Sequence, residues 1–466
     1  MSLHAIFFIL YYVVSCVVAL VSPIVGVVCY LVVYHVYPET TWWGHELAPL
    51  HIRYSLFIAV ATGIGFVAHA HKHPTLRPYI SLFEVLCFLM LANIWLTPLI
   101  GAGWLRWTAM KLDKMTKIFI FLFLLAHIVV RMRYYQWLVL AWVISALYVG
   151  HAAHTAPRGS FYLGRLDGIG GPDFREATAL SLHLAATLPL IGVQFLRPGL
   201  WPKVLSFFAA AFACQGIILA QGRSAMVGLV AGVVTAVCRS PKGRRARIGL
   251  AITLGLIGGY SLTDDAFWQR MRTILAPSEQ RDPSAQGRIH IWRTALHMWE
   301  DYPLGIGIGT FEPIIGKYSR SLDGSDSHSS YIDALVELGV QGFVLLSALI
   351  FCSFRELTRC RRLARGTVLQ RDIDLQVYAL RISLVVFLFA SLTLTRLYAE
   401  AFWWLLAMPL CLRRSLQNEL ARLDRPPSRC GSGMDEVDWE TADDPDLVWP
   451  ESGGSAVVDE PAEAKR

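Results

Sequence analysis

Three stretches set residues capable of chemistry into otherwise apolar patterns. The first, DSHSSYIDALVELGVQGF, runs from Asp326 to Phe343 and carries His328, Tyr331 and Glu337. A neutral imidazole at a water boundary can take a proton near neutral pH and so act as a general base. On one continuous helix with Asp326 or Ser327 as N-cap, His328 and Tyr331 stand one turn apart on the same face, while Glu337 lies about 13 Å further along the axis. Glu337 therefore pairs with an arginine or caps a neighbouring segment, and Gly339 and Gly342 permit close packing. Taken alone, His328 could equally be an interfacial histidine bonded to lipid head groups.

The second stretch, QGRSAMVGLVAG from Gln221 to Gly232, places Arg223 at the head of a helix lined with small residues. A guanidinium there offers a fork of donors to a phosphate, with the helix N-terminus adding its own attraction for an anion. A lone arginine at such a mouth could also simply snorkel to the interface. The third stretch, GRIHIWRTALHMWEDYPLGIGIGTFEP from Gly287 to Pro313, opens with Arg288 and Arg293. Ile289, Trp292, Ala295, Leu296 and Trp299 follow at helical spacing, so it reads as an amphipathic helix that could equally be an interfacial lid without chemistry. Pro303 and the glycines at 305, 307 and 309 then predict a tight turn that lets the backbone pack against the membrane face. GIGIGT follows no strand and lacks a P-loop lysine, so it is no nucleotide motif.

The elements that must position these residues are membrane helices. The chain has 466 residues, is 55% hydrophobic and only 17% charged, and has a mean hydropathy of +0.46. That is too apolar for a soluble protein of this size and predicts an all-α polytopic membrane protein. Apolar runs at 4–21, 24–37, 53–70, 79–98, 116–130, 134–151, 176–195, 202–221, 224–238, 246–262, 329–352, 377–396 and 399–412 give about twelve to thirteen transmembrane helices. Only Ser22 and Pro23 separate the first two, so one of them could be re-entrant or merged. The expected organisation is an N-terminal bundle over 1–262, a periplasmic loop over 263–327 containing the amphipathic helix, further transmembrane helices over 328–415, and an acidic, disordered cytoplasmic tail over 416–466.

Orientation follows from the basic loops. CRSPKGRRAR (238–247) and FRELTRCRRLARG (354–366) are the densest, with RMR (131–133), LRPGLWPK (196–203) and HKHPTLRP (71–78) milder; even numbers of spans separate them, so all fall on one side, the cytoplasm. The segment near 99–115 is mildly basic on the other side and argues against this weakly. Arg223, the 263–328 loop and His328 then share the outer face. From Asp424 onward twelve acids face four bases, so the membrane body carries about +15 of a net +7, suited to anionic head groups or lipid diphosphates as well as to ordinary positive-inside bias. The nine cysteines form no CxxC pair, which argues against structural zinc and a disulfide framework. His69, His71 and His73 could suggest a metal, but no carboxylate is near them in sequence and a solvated helix end explains them. No nucleic-acid partner is expected.

GRSAMVGLVAG, RIHIWRTALHMWEDYPLGIGIGTF and HSSYIDALVELGVQG, in that order and on that side, resemble the O-antigen ligase superfamily, which includes O-antigen polymerases and protein O-oligosaccharyltransferases. GGPDFREATALSL (170–182) looks like the family's Asp-x-Asn segment, with Thr178 where asparagine is expected. YHVYPETTWW (34–43) is similar to ligase-like members linked to exopolysaccharide export. The resemblance implies transfer of a glycan from an undecaprenyl-diphosphate carrier to a hydroxyl of a lipid, glycan or protein acceptor, at the periplasmic face of the bacterial inner membrane and without metal, nucleotide or other cofactor. It implies His328 as base or acceptor positioner, with Tyr331 as its orienter, and Arg223 and Arg288 as the diphosphate clamp. Arg165, Arg293 and Glu337 join Tyr331 as expected substrate-binding residues, and attack from the opposite face would invert the anomeric carbon. A polymerase of the same superfamily remains open, as does a polysaccharide or lipid transporter. A transporter should show ionisable groups near mid-membrane, whereas the unusual polar residues here cluster at the outer edge.

Overall fold

The computed structural model describes residues 1–70, 80–162, 164–240, 245–261, 263, 265–272 and 283–424. His71, His73, the centre of the 238–247 basic loop and the acidic tail from residue 425 lie outside the described residues. The chain is an all-α polytopic membrane protein. Its helices are α1 (Leu3–Val21), α2 (Pro23–Val36), α3 (Tyr54–Ala70), α4 (Leu82–Ile100), α5 (Arg106–Ile128), α6 (Met132–His154), α7 (Ala177–Phe195), α8 (Leu200–Ala220), α9 (Arg223–Arg239) and α10 (Arg245–Ser261), followed by α11 (Asp265–Arg272), α12 (Pro283–Asp301), α13 (Phe311–Tyr318), α14 (Ser330–Val336), α15 (Gly339–Leu363), α16 (Gln370–Ala390) and α17 (Glu400–Leu423). The described strands, β1 (Phe161–Tyr162) and β2 (Arg165–Leu166), form a small antiparallel hairpin between α6 and α7.

Seven of the described helices are long and apolar enough to cross a membrane by length and composition, or eight if the bent pair beginning with α2 is one span. The first two runs are separate helices, broken at Ser22 with Pro23 opening α2, where its missing N–H is not needed. Several expected boundaries shift, α5 for instance opening at Arg106 where 116 was expected. The run read as 329–352 is two helices, α14 and α15, divided at Gly339 (φ +74°). The run read as 377–396 ends at Ala390, and residues 391–399 form an irregular connector to α17. α17 itself continues to Leu423, past the expected boundary at 415.

Helices in lipid gain little from apolar contact with one another, so close packing and buried polar bonds must hold them. The G-x-x-x-G spacing of Gly228 and Gly232 turns one face of α9 onto α16. A Cβ at Gly228 would lie 2.4 Å from the Val386 carbonyl oxygen, and one at Gly232 would lie 2.5 Å from Val386 Cγ2. At the basic end, Arg414 of α17 reaches Glu84 of α4 at 2.7 Å, and Arg413 pairs with Glu356 of α15. Such buried pairs lose hydration on folding and are harmful chiefly when one partner is removed. At the other end lie the N-terminus of the chain, the segment 37–53, the described residues of the hairpin region 155–176, the turn at 221–222, residues 265–272 and 283–329, and the 391–399 connector. This is the end that carries the candidate site.

Candidate active site

The residues ahead of α14 do not continue its helix. Ser329, not Asp326 or Ser327, is the N-cap, its hydroxyl accepting from Ile332 N at 3.5 Å. His328 has φ +53°, in the left-handed region that non-glycine residues adopt only when their surroundings enforce it. Those surroundings are present on both sides. Trp292 of α12 donates through Nε1 to the Ser327 carbonyl at 2.9 Å, and Ser330 donates through its backbone N–H to the Ser391 carbonyl at 3.1 Å. The imidazole is 41% exposed, and its Nδ1 stands 3.4 Å from Asp326 Oδ2.

His328 and Tyr331 consequently do not share a helical face. The Tyr331 hydroxyl donates to the Leu388 carbonyl at 3.1 Å, and burial pushes its pKa up to about 12. Tyr331 therefore fastens α14 to the end of α16, and it is Asp326 that lies against the imidazole.

The connector 391–399, SLTLTRLYA, joins the separate pieces. Thr393 Oγ1 donates to Ser224 Oγ at 2.8 Å, beside Arg223 at the head of α9. Thr395 Oγ1 donates to Asp326 Oδ1 at 3.1 Å and lies 3.2 Å from Ser327 Oγ. Ser330 Oγ donates to the Leu394 carbonyl at 3.0 Å and accepts from Arg396 N at 2.7 Å. Arg396 also reaches Glu176 at 3.3 Å and bonds to the Asp173 carbonyl, which ties in the segment before α7. Two hydroxyls of one short connector thus fix the arginine-bearing end of α9 and the histidine-bearing entry to α14.

The expected arginines distribute unevenly. Arg165, at the start of β2, donates through Nη2 to Thr178 Oγ1 at 3.0 Å. A Cβ on Gly222 would lie 3.4 Å from Thr178 Cα and 2.7 Å from Ser181 Cβ, so the turn that precedes Arg223 packs on the part of α7 whose Thr178 holds Arg165. Arg270 of α11 donates to the Gln221 carbonyl at 3.2 Å and braces the same turn, where Gln221 has φ +48°. Arg288 lies on α12 one turn before Trp292, which holds the carbonyl next to His328. Arg293 is exposed and, one residue beyond Trp292, is rotated about 100° from that contact.

Glu337 is 1% exposed and faces inward. Its Oε1 accepts from the backbone N–H of Phe311 at 3.0 Å, at the first residue of α13, and its Oε2 accepts from the Tyr398 hydroxyl. Lys111 sits 4.6 Å from the Tyr398 ring centre. Of the two expected roles, capping a neighbouring segment is the one observed. The glycine run before α13 serves this anchor. Ile306 N and Gly307 N donate to the Val336 and Glu337 carbonyls at 2.9 and 3.0 Å, and Gly305, Gly307 and Gly309 all have positive φ. The run is thus threaded between the α14–α15 break and α4, where a Cβ at Gly307 would meet Pro98 Cα at 3.2 Å.

Sequence reasoning passed over a second polar group beside the site. Asp173 accepts from Lys114, from the Tyr34 hydroxyl at 2.7 Å and from Glu400 N at 2.8 Å, while Tyr30 donates to Glu400 at 2.8 Å. Burial works to raise the Asp173 carboxyl, but Lys114 and the donated hydrogen bonds outweigh it and hold it below the usual carboxylate range. This cluster locks α2, α5 and α17 to the segment carrying Arg165. Its sequence signal was an acid, Asp173, in a glycine-rich stretch that also carries Asp167 and Glu176.

The fold and this end of the bundle define a multi-pass membrane protein with a polar site at one mouth. Residues 207–347 match the family described as O-antigen ligase, which supports the O-antigen ligase and polymerase superfamily and a membrane glycosyltransferase-like function of that general type. The match takes in Arg223, Arg288, His328, Tyr331 and Glu337, and leaves Arg165 outside. A comparison with curated proteins gives no match.

Proposed function

We propose that the protein is an O-antigen ligase-like glycosyltransferase that moves a glycan from an undecaprenyl-diphosphate carrier to a hydroxyl of a lipid, glycan or protein acceptor. The observation that carries this reading is the pairing made by the connector: Thr393 binds the residue after Arg223, and Thr395 binds the carboxylate beside His328. A cation suited to a leaving diphosphate and a base suited to an acceptor hydroxyl are thereby fixed by one element.

In the reaction His328 takes the proton of the acceptor hydroxyl as its oxygen attacks the anomeric carbon. The bond from that carbon to the diphosphate oxygen breaks, and its electron pair leaves with the diphosphate. Attack opposite the leaving group inverts the anomeric carbon. Arg223, with Arg165 and Arg288 in support, receives the growing charge, and a preorganised donor at such a position contributes about 3 kcal/mol of barrier lowering. Arg293, exposed on α12, is assigned to glycan or lipid head-group contact. Tyr331 and Glu337 support the site through α14 instead of touching substrate.

The site faces the periplasm of the bacterial inner membrane in this reading. Arg131, Arg133, Arg197, Lys203, Arg239 and Arg361 all lie at the helix ends opposite the site, which the positive-inside rule assigns to the cytoplasm. The test is mass spectrometry of polyprenyl-diphosphate-linked glycans extracted from cells lacking the protein. Accumulated long chains are the expected result. Accumulated single repeats would favour a polymerase, and an unchanged carrier pool would favour a transporter.

A further inference from the structure

We propose that Asp326 is the positioning residue of His328, accepting from Nδ1–H so that the Nε2 lone pair faces the acceptor hydroxyl. This rests on His328 acting as the base. On the continuous helix expected from the sequence, residues two apart would point about 200° away from each other. The left-handed backbone at His328 removes that helix and brings Nδ1 to 3.4 Å from Asp326 Oδ2. The separation is within ion-pair range and longer than a tight hydrogen bond, as contacts of this kind often are before substrate is bound.

The carboxylate is itself held. Thr395 Oγ1 donates to Oδ1 at 3.1 Å, which leaves Oδ2 for the imidazole. One carboxylate oxygen is thus engaged by the connector that also fixes Ser224, and the other lies 3.4 Å from the base. The arrangement supplies what an imidazole base needs: a fixed tautomer, a fixed ring orientation, and a negative charge beside the imidazolium that forms when the proton arrives.

The experiment uses the full-length protein, wild type or variant, in right-side-out membrane vesicles from cells lacking the chromosomal copy, supplied at the start with carrier-linked glycan extracted from null cells as donor and with their own acceptors present. Variants are matched for amount and for thermal unfolding temperature, and loss of carrier-linked glycan is followed with time. Asp326→Ala should turn over about 10- to 100-fold more slowly than wild type, a share of what a general base contributes. Added formate, a small carboxylate able to enter the vacated and partly exposed position, should restore several-fold of the rate. Thr395→Val, which leaves the carboxylate but removes its anchor, should lose less. Formate should do nothing for His328→Ala. A wild-type rate in Asp326→Ala, or a slow rate that formate leaves unchanged, overturns the proposal while His328 stands; a wild-type rate in His328→Ala removes the reading beneath it.

Discussion

Thr393 Oγ1 lies 2.8 Å from Ser224 Oγ, so the connector between α16 and α17 is bonded to the first turn of the helix headed by Arg223. Ser224 in turn donates to the Thr393 carbonyl at 3.2 Å. Thr393→Val keeps the side-chain volume and removes the hydroxyl. Loss of one such hydrogen bond costs about 1 kcal/mol, so the expected outcome is a folded protein with turnover of carrier-linked glycan reduced about fivefold. Comparing turnover with expression level in the same cells checks it.

Arg223 should not tolerate lysine. A lysine preserves the charge but cannot present two parallel donors to a diphosphate. Arg223→Lys and Arg223→Ala should both lose about 100-fold in turnover, within a factor of a few of each other, as expected for removal of a preorganised donor. Near-wild-type turnover in Arg223→Lys would show that only a point charge is needed. Arg293→Ala, at an exposed position, should change turnover by less than about threefold.

The contact of α9 with α16 should be intolerant of bulk. At Gly228 even a methyl group would overlap the Val386 carbonyl. Gly228→Leu must therefore separate the two helices, and overpacking of this kind costs about 1–3 kcal/mol. Thermal unfolding in detergent should show a lowered midpoint, with Gly232→Ala milder because a single methyl there meets a side-chain methyl of Val386 and not its backbone.

Acid should weaken the Asp173 cluster. The Asp173 carboxyl is held below its usual value by Lys114 and its hydrogen bonds against the opposing effect of burial. Its contribution to stability is therefore fully present above the ordinary carboxylate pKa of about 4 and is lost as pH falls through the lower folded value. Asp173→Asn should lower stability by about 2 kcal/mol at neutral pH. The difference from wild type should shrink below about pH 4, as read by unfolding midpoints across a pH series.

Much of the fold was legible because lipid imposes a simple rule: each crossing needs a long apolar run, and each run shows in the sequence. α6, α7 and α8 fall within a few residues of their expected runs. The connector was hidden by the same rule. In SLTLTRLYA the leucines keep the local average apolar, so the segment was absorbed into a span, although its threonine and serine hydroxyls are what tie the site together. The histidine segment was legible in residue type but not in shape. DSHSSY carries an N-cap signal at three serines and an aspartate, and choosing among them requires the tertiary bonds from Trp292 and Ser391 that place His328 in the left-handed region. Glu337 was legible as a cap or an arginine partner, but its expected contact with substrate was not met, because its actual partners, Phe311 N and Tyr398, are distant in sequence and leave no local pattern.

The most direct measurement of the central claim compares cells lacking the protein with cells carrying wild type or His328→Ala at matched expression, with carrier-linked glycan quantified by mass spectrometry of extracted lipids. The account predicts that the null and His328→Ala cells accumulate the same carrier-linked glycan to similar levels, while wild type keeps it low. A low, wild-type pool in His328→Ala cells would contradict it.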